Sequence, residues 1–390
     1  MNQLFHKRRD IKQLESWTML KSTGQCLLIV AIAMLAACDK GVPAMTEDEQ
    51  RTVQEYTDSL AQVCIGRFMV EMPKRMELAY SSLSVNDAKI SAQPMSRQMY
   101  ERLITRRQRE LENMERVDPE DAPFLKNIIR EEDLVIFDRN EDTGTSDSGR
   151  VLEGYRLIDN TMFKVSVKAT DLSDDKYTEW RTHLTDNKSG RMQEIRYLLD
   201  NLSPLASGDI PEKPGLCFEN GFLAGGAEGT IPGHEAPFRI ENVTMRYIDR
   251  ERKDVYFNIT TDSWLHQDTT LLDSLSEAKD SLSQDDNGAL LRHGKVALEG
   301  IDQAEELLVA MTNTASRNDI RYTDFSLEAN SLEGNRLAPQ VVIVLKNGAY
   351  SMVVDEKDRE NLEKPSLTDA EAIGLWDAVT RTFHPRPGAF

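Results

Sequence analysis

The chain has 390 residues and a formal net charge of −19, with 66 acidic against 47 basic residues. That balance excludes nucleic acid and anionic membrane surfaces as its general partners, because both are bound through clustered Lys and Arg. The length admits one large domain or two ordinary ones, at roughly 100–200 residues per domain.

The first element is an apolar run, Cys26 to Ala37, preceded by Lys7, Arg8, Arg9, Lys12 and Lys21. Its core, Leu27 to Met34, is shorter than the roughly 20 apolar residues of a membrane span. Basic residues before a short apolar stretch are the charge order of a signal peptide. Either Met1 or Met19 fits as its start, since Met19-Leu20-Lys21-Ser22 leads straight into the run. Arg8-Arg9 hints at a twin-arginine signal, but it lies far from the apolar core. Leu35-Ala36-Ala37-Cys38 resembles the processing site of bacterial lipoproteins. The resemblance implies cleavage before Cys38, lipid on its thiol, and a stable multi-chain membrane anchor facing the periplasm. Asp39 favours the inner membrane within that group, although Lys40 beside it dilutes the signal. Without residues 1–37, which carry five basic and two acidic residues, the net charge becomes −22. Such a chain is soluble and suited to a basic partner.

Residues 38–57 are polar and acidic and read as a tether. Cys64-Ile65-Gly66-Arg67-Phe68-Met69-Val70-Glu71-Met72-Pro73 reads as a strand stopped by proline, and a second strand is expected near 78–83. Ser96 is placed to cap an amphipathic helix whose stripe is Met99, Leu103, Leu111 and Met114. Leu134 to Asp138 reads as a strand, and the polar run 139–150 as a loop. Val151 to Ile158 and Thr161 to Ala169 flank Asp159-Asn160, a hairpin with Phe163, Val165 and Val167 on one face. A helix is expected over 188–202, striped by Met192, Ile195, Leu198, Leu199 and Leu202.

Three prolines and two glycines between Ser203 and Gly215 mark a domain border. The expected division is a signal peptide at 1–37, a tether at 38–57, and domains at 58–205 and 206–390. In the second domain, strands are expected around 238–248, 255–260, 296–298, 322–329 and 341–354. Asn347-Gly348 gives a hairpin signal within the last of these. Helices are expected over 271–282 and after Asp302, the latter carrying Ala304, Leu307, Leu308 and Met311. Thr368-Asp369-Ala370-Glu371 matches a capping box, followed by the stripe Ala372, Leu375, Trp376, Val379 and Phe383. Antiparallel strands with a few helices in each half indicate the α+β class, two domains.

With Cys26 in the leader and Cys38 lipidated, Cys64 and Cys217 remain. An even pair in an oxidising compartment suggests a disulfide, the alternative being two separate buried thiols. No catalytic set is found. Gly144-Thr145-Ser146-Asp147-Ser148-Gly149 lacks the spacing of a hydrolase elbow. The glycine-rich run 221–229 lacks the Lys-Ser/Thr of a phosphate loop. His183, His234, His266, His293 and His384 show no metal-ligand spacing. No metal, cofactor or enzymatic activity is expected.

Four short patterns in order resemble one family. They are Cys64-Ile65-Gly66-Arg67-Phe68 with Met72-Pro73, Cys217 with Gly221-Phe222, Lys295 to Gly300 before Glu305-Glu306, and Leu375-Trp376-Asp377-Ala378-Val379 with Arg386-Pro387-Gly388-Ala389. The chain is similar over most of 58–390 to the two-domain immunity lipoproteins that protect bacteria against type VI secreted phospholipase effectors. It departs at Ile301-Asp302-Gln303, where the pattern has a Pro-Gly-like turn. The resemblance implies a non-catalytic inhibitor that grips a cognate lipase and blocks its active-site entrance or lid. It names no contact residues, so the partner-binding residues are unknown at this stage. The alternatives are an envelope binding or assembly lipoprotein without a toxin partner, and an envelope hydrolase with an unrecognised site.

Overall fold

The computed structural model describes residues 44–314, 319–351 and 362–390; the leader and Cys38 lie outside them. Helix α1 (Glu47–Thr57) opens on a capping box between Thr46 and Glu49. The tether expected over 38–57 is therefore helical from residue 47 onward. Its one buried side chain is Tyr56, so periodicity carried no signal. Neighbours hold it instead. The Arg75 guanidinium lies 4.4 Å from the Tyr56 ring centroid, and Thr368 Oγ1 donates to Glu49 at 2.8 Å.

The single strand read at 64–73 is a hairpin, β1 (Leu60–Ile65) and β2 (Phe68–Pro73). Gly66 turns it with φ +58°, a conformation in which glycine is unstrained. Next come β3 (Met76–Val85), β4 (Ala88–Pro94) and α2 (Arg97–Glu112), which is capped by Ser96. The buried stripe of α2 is Tyr100, Ile104 and Leu111, while Met99 and Met114 are exposed. Leu111 of the expected stripe is buried as expected and Leu103 partly so, but at the start of the helix the buried face shifts by one residue, because the ring of Tyr100 takes the core position in place of Met99. Strands β5 (Leu125–Arg130), β6 (Leu134–Asn140), β7 (Gly149–Ile158) and β8 (Thr161–Thr170) follow. Asp159 and Asn160 both take positive φ at the β7–β8 turn, as a tight hairpin requires. Helix α3 (Lys188–Asp200) and β9 (Leu202–Pro204) complete this half.

The second half holds β10 (Gly215–Phe218), β11 (Gly221–Ala224), β12 (Glu241–Asp249) and β13 (Tyr256–Asp262). A 3-10 turn at Leu271–Ser274 leads into α4 (Leu275–Leu282) and then β14 (Ala289–Lys295). The helix expected after Asp302 is a strand, β15 (Ala304–Asn313), paired on both sides. Ala304, Leu307, Leu308 and Met311 have helical spacing by coincidence. The operative period is two, burying Ala304, Glu306, Leu308 and Ala310. The strand expected at 296–298 reduces to a bridge between Leu298 and Ile301. Gly300 (φ +68°) supplies the turn there, one residue before the departure from the family pattern.

Strands β16 (Ile320–Ala329) and β17 (Gln340–Asn347) precede α5 (Asp369–Thr380) and β18 (His384–Pro385). Asn347 ends β17 rather than turning a hairpin, and its side chain bonds both backbone groups of Leu367. Of the strand expected to 354, residues 352–354 lie outside the described residues.

The α+β class holds, with antiparallel pairing throughout. Strands from both halves join in a sheet of twelve, in the order β14-β15-β16-β17-β13-β12-β3-β4-β8-β7-β6-β5. β3 and β12 carry it across the expected border at 205/206. One face packs on α3 and α5. Trp376 of α5 is fully buried there, parallel to Phe257 at 6.3 Å and edge-on to Phe325 at 5.9 Å.

Replacing Trp376→Ala removes this ring and one hydrogen bond to Glu306, which accepts the Trp376 Nε1–H at 3.0 Å and keeps its bond from Arg381. The expected loss is about 3–5 kcal/mol of unfolding free energy, measured by urea denaturation.

Candidate interaction surface

A surface built to bind needs a rigid frame beneath it, and the frame here is a buried polar junction. Cys64 on β1 and Cys217 on β10 form a disulfide, with Cα atoms 5.6 Å apart. Beside it, Gly66 and Cys217 exchange backbone hydrogen bonds of 2.9 and 2.8 Å. Arg67, 1% exposed, donates to both oxygens of Glu241 at 2.7 Å each and to Gly225 O at 3.0 Å. Another of its donors meets Ala389 O. Arg239 lies 2.8 Å from the same Glu241 carboxylate. Burial lowers the pKa of Arg239, opposed by the Glu241 charge. Arg386 donates to Gly215 O at 2.8 Å, to Lys213 O at 3.1 Å and to Pro211 O. Segments at residues 64–67, 211–225, 239–241 and 386–389 are thereby locked together.

The motif residues sort onto this frame. Cys64 to Phe68, Cys217, and Arg386 to Ala389 meet at the junction. Glu306 of the third pattern accepts from Trp376 of the fourth, and from Arg381 at 2.8 Å. These residues hold the fold together. The third arginine, Arg239, and its carboxylate, Glu241, escaped the sequence reading; an Arg-x-Glu pair opening a strand was the available signal.

The other face of the sheet is walled at both ends. At one end α2 covers β6 and β7 through Tyr100, Ile104 and Leu111, against Val135, Phe137 and Tyr155. Glu153 clamps this wall, accepting from Arg107 at 2.7 and 2.9 Å and from Arg139 at 3.1 Å. Burial alone would raise the Glu153 pKa. Hydrogen bonds from Arg107 and Tyr155 outweigh it, with the charges of Lys164 and Arg107, and hold the pKa at about 2. At the other end the turn before α4 lies over β15, with Leu272 N donating to Glu305 at 3.0 Å.

Between the walls, the middle strands present a polar and aromatic floor, onto which the segment after β17 folds at Ser351, whose Oγ accepts from Arg246 at 2.7 Å. Tyr80, Arg246, Asn258, Val344 and Ser326 align across β3, β12, β13, β17 and β16. The Arg246 guanidinium lies 5.7 Å from the Tyr80 ring centroid and 5.6 Å from that of Tyr256. Stacked Arg and Tyr side chains offer large contact area with little entropy left to lose.

Cys38 lies outside the described residues. Among the histidines, His234 stands near Asp87 and Glu194, with possible ligand atoms within 4.8 Å of one another. Burial lowers the His234 pKa and raises that of Glu194. Arg191 occupies this cluster already, reaching Asp87 at 2.7 Å and Glu194 at 2.6 Å. His234 Nδ1 accepts from Ala236 N at 2.9 Å, which leaves the ring proton on Nε2. The donor set is that of an ion-pair cluster and does not suit a cation.

Two family models match the chain: the N-terminal domain of Tle cognate immunity protein 4 over residues 61–204, and its C-terminal domain over 209–388. A solved structure described as the crystal structure of the Tle4-Tli4 complex is similar, with a TM-score of 0.65 and 17% identity, over 85% of this chain and 99% of that one. The apo immunity protein TplEi of the type VI secretion system of Pseudomonas aeruginosa gives a TM-score of 0.62 and 17% identity, over 85% and 98%. The same protein complexed with an "L" peptide gives 0.59 and 19%, over 85% and 99%. At these identities the likeness shows the fold. No curated protein matches the chain.

Two outcomes follow from the geometry. Glu241→Gln leaves two buried guanidinium groups without their carboxylate and is expected to cost about 3–5 kcal/mol, read by chemical denaturation at neutral pH. Glu153, depressed in the folded state, contributes stability fully above its unfolded pKa of about 4.3, and this is lost as pH falls toward 2. Glu153→Gln is expected to flatten the acid limb of the stability curve between those values.

Proposed function

The chain belongs to the Tle cognate immunity protein 4 family, and from that premise we propose that it is a lipid-anchored periplasmic protein that binds and inhibits a type VI secreted lipase. The observation that carries this reading is the match of both domain models across residues 61–204 and 209–388. The similarity to a Tle4-Tli4 complex supports a direct effector–immunity contact.

Inhibition acts by occlusion. The chain seats on the lipase over its active-site entrance or lid, and phospholipid is kept from the nucleophile. An interface of about 1,600 Å² or more supplies such a block. The walled floor supports this, because its junction and clamped helix fix the surface before the partner arrives, which lowers the entropy cost of binding. The family implies a non-catalytic role. Acidic charge steers a basic effector surface inward and speeds association.

The location rests on Leu35-Ala36-Ala37-Cys38 and is supported by the Cys64–Cys217 disulfide, a bond at home in an oxidising compartment. Asp39 favours the inner membrane in this reading, a signal that Lys40 beside it dilutes. The lipid stations the inhibitor where an incoming lipase would attack.

Protection in cells tests the proposal. A strain lacking this gene, facing a competitor that delivers the cognate lipase, is expected to lyse and to recover when the full chain is restored. A leaderless Cys38→Ser version is expected to fold and to bind the lipase in vitro but to leave the strain unprotected. Unchanged survival of the deletion strain would sink the immunity role. Full protection by the leaderless version would remove the anchor from the mechanism.

A further inference from the structure

Eleven large apolar side chains stand exposed among the described residues, and four of them, Trp264, Leu265, Leu332 and Leu337, fall in two loops. Such clustering departs from the scattered exposure of an ordinary surface and marks a contact site. The loops, after β13 and between β16 and β17, brace each other. Gln267 N donates to Ser331 O at 2.7 Å. Gly334 sits so close to Leu265 that a Cβ there would lie 1.9 Å from its carbonyl oxygen. Trp264 N and Leu265 N both donate to Asp262 at 2.8 Å, and Asn330 Nδ2 to Pro339 O at 3.0 Å. The backbone is fixed while the side chains point outward. Trp264, 56% exposed, stacks on Phe238 at 5.2 Å. Arg336 covers that ring at 4.7 Å.

A cavity of about 340 Å³ opens beside Leu332. Its charged lining is Asp302, Glu305 and Glu328 against a single Lys295. Glu328 and Glu305 are cross-strand partners, as are Glu305 and Lys295, so the cavity continues the walled floor. An excess of carboxylate beside an exposed apolar cluster specifies a cationic and apolar occupant. The net charge of the chain opposes a second copy of itself here.

Resting on the immunity reading above, we propose that this corner is the anchoring contact for the lipase. It receives a segment whose large apolar side chain packs on Trp264 and Leu332, with a neighbouring Lys or Arg entering the acidic cavity. Tryptophan at a rigid, partly apolar centre is the usual seat of a binding hot spot.

The test is calorimetric titration of the mature chain with the purified, catalytically inactivated cognate lipase. Trp264→Ala and Glu328→Lys are each expected to weaken binding about tenfold or more. The Glu328→Lys deficit shrinks as salt rises, because screening removes the charge penalty. Val117→Ala, 77% exposed after α2, is the control expected to bind as wild type. Unchanged melting curves show that each variant is folded. Binding by wild type, Trp264→Ala and Glu328→Lys within twofold of each other overturns the proposal and leaves the immunity reading intact. Absence of binding by wild type overturns the immunity reading itself. Self-association of the free wild-type chain that Trp264→Ala abolishes assigns the corner to a second copy and also overturns the proposal.

Discussion

One carboxylate answers for two buried arginines. Glu241 neutralises Arg67 through two hydrogen bonds and lies against Arg239, in a space from which water is excluded. Isolated buried cations would be prohibitively costly. Backbone carbonyls of Gly225 and Ala389 take further Arg67 donors, and the terminal nitrogens of Arg386 donate to carbonyls alone while its Nε is left buried without a partner. The disulfide between Cys64 and Cys217 lies alongside. These contacts join segments separated by more than three hundred residues (Arg67 to Ala389 is 322 apart). The continuous sheet, its walled face and the braced loops all depend on that closure, since β12 begins at Glu241 itself.

This arrangement separates framework from surface. The motif residues that identify the family are, in large part, buried at the junction or around Trp376. Tyr80, Arg246 and Asn258 on the floor and Trp264, Leu332 and Glu328 at the loop corner belong to none of those patterns, while Lys295 and Glu305 of the third pattern line the cavity beside the corner. The contact chemistry can change while the frame stays fixed, because exposed positions carry little of the folding energy.

Local chemistry made some elements legible. Asp159-Asn160 announced a hairpin because both residues tolerate positive φ, and both adopt it. Thr368 and Glu371 announced α5 through reciprocal capping, and the two side chains make those bonds. The strict alternation of Phe163, Val165 and Val167 gave β8 its faces. Elsewhere the deciding contacts were distant. Helix α1 has one buried ring and is held by α5 and Arg75, which no window of sequence can display. Strand β15 happens to carry apolar residues at both periods, and its two neighbours choose the period of two. The candidate surface was the least legible, because Trp264, Leu332 and Glu328 become neighbours only when three strand ends are brought together.

The central claim is that this frame exists to present a blocking surface to a lipase. Titration of lipase turnover on phospholipid vesicles by the purified mature chain tests it most directly. The account predicts that turnover falls linearly and ends at one chain per lipase, with the chain itself recovered unaltered and hydrolysing nothing. Lipase turnover unaffected by several equivalents, or phospholipid hydrolysis by the chain alone, would contradict it.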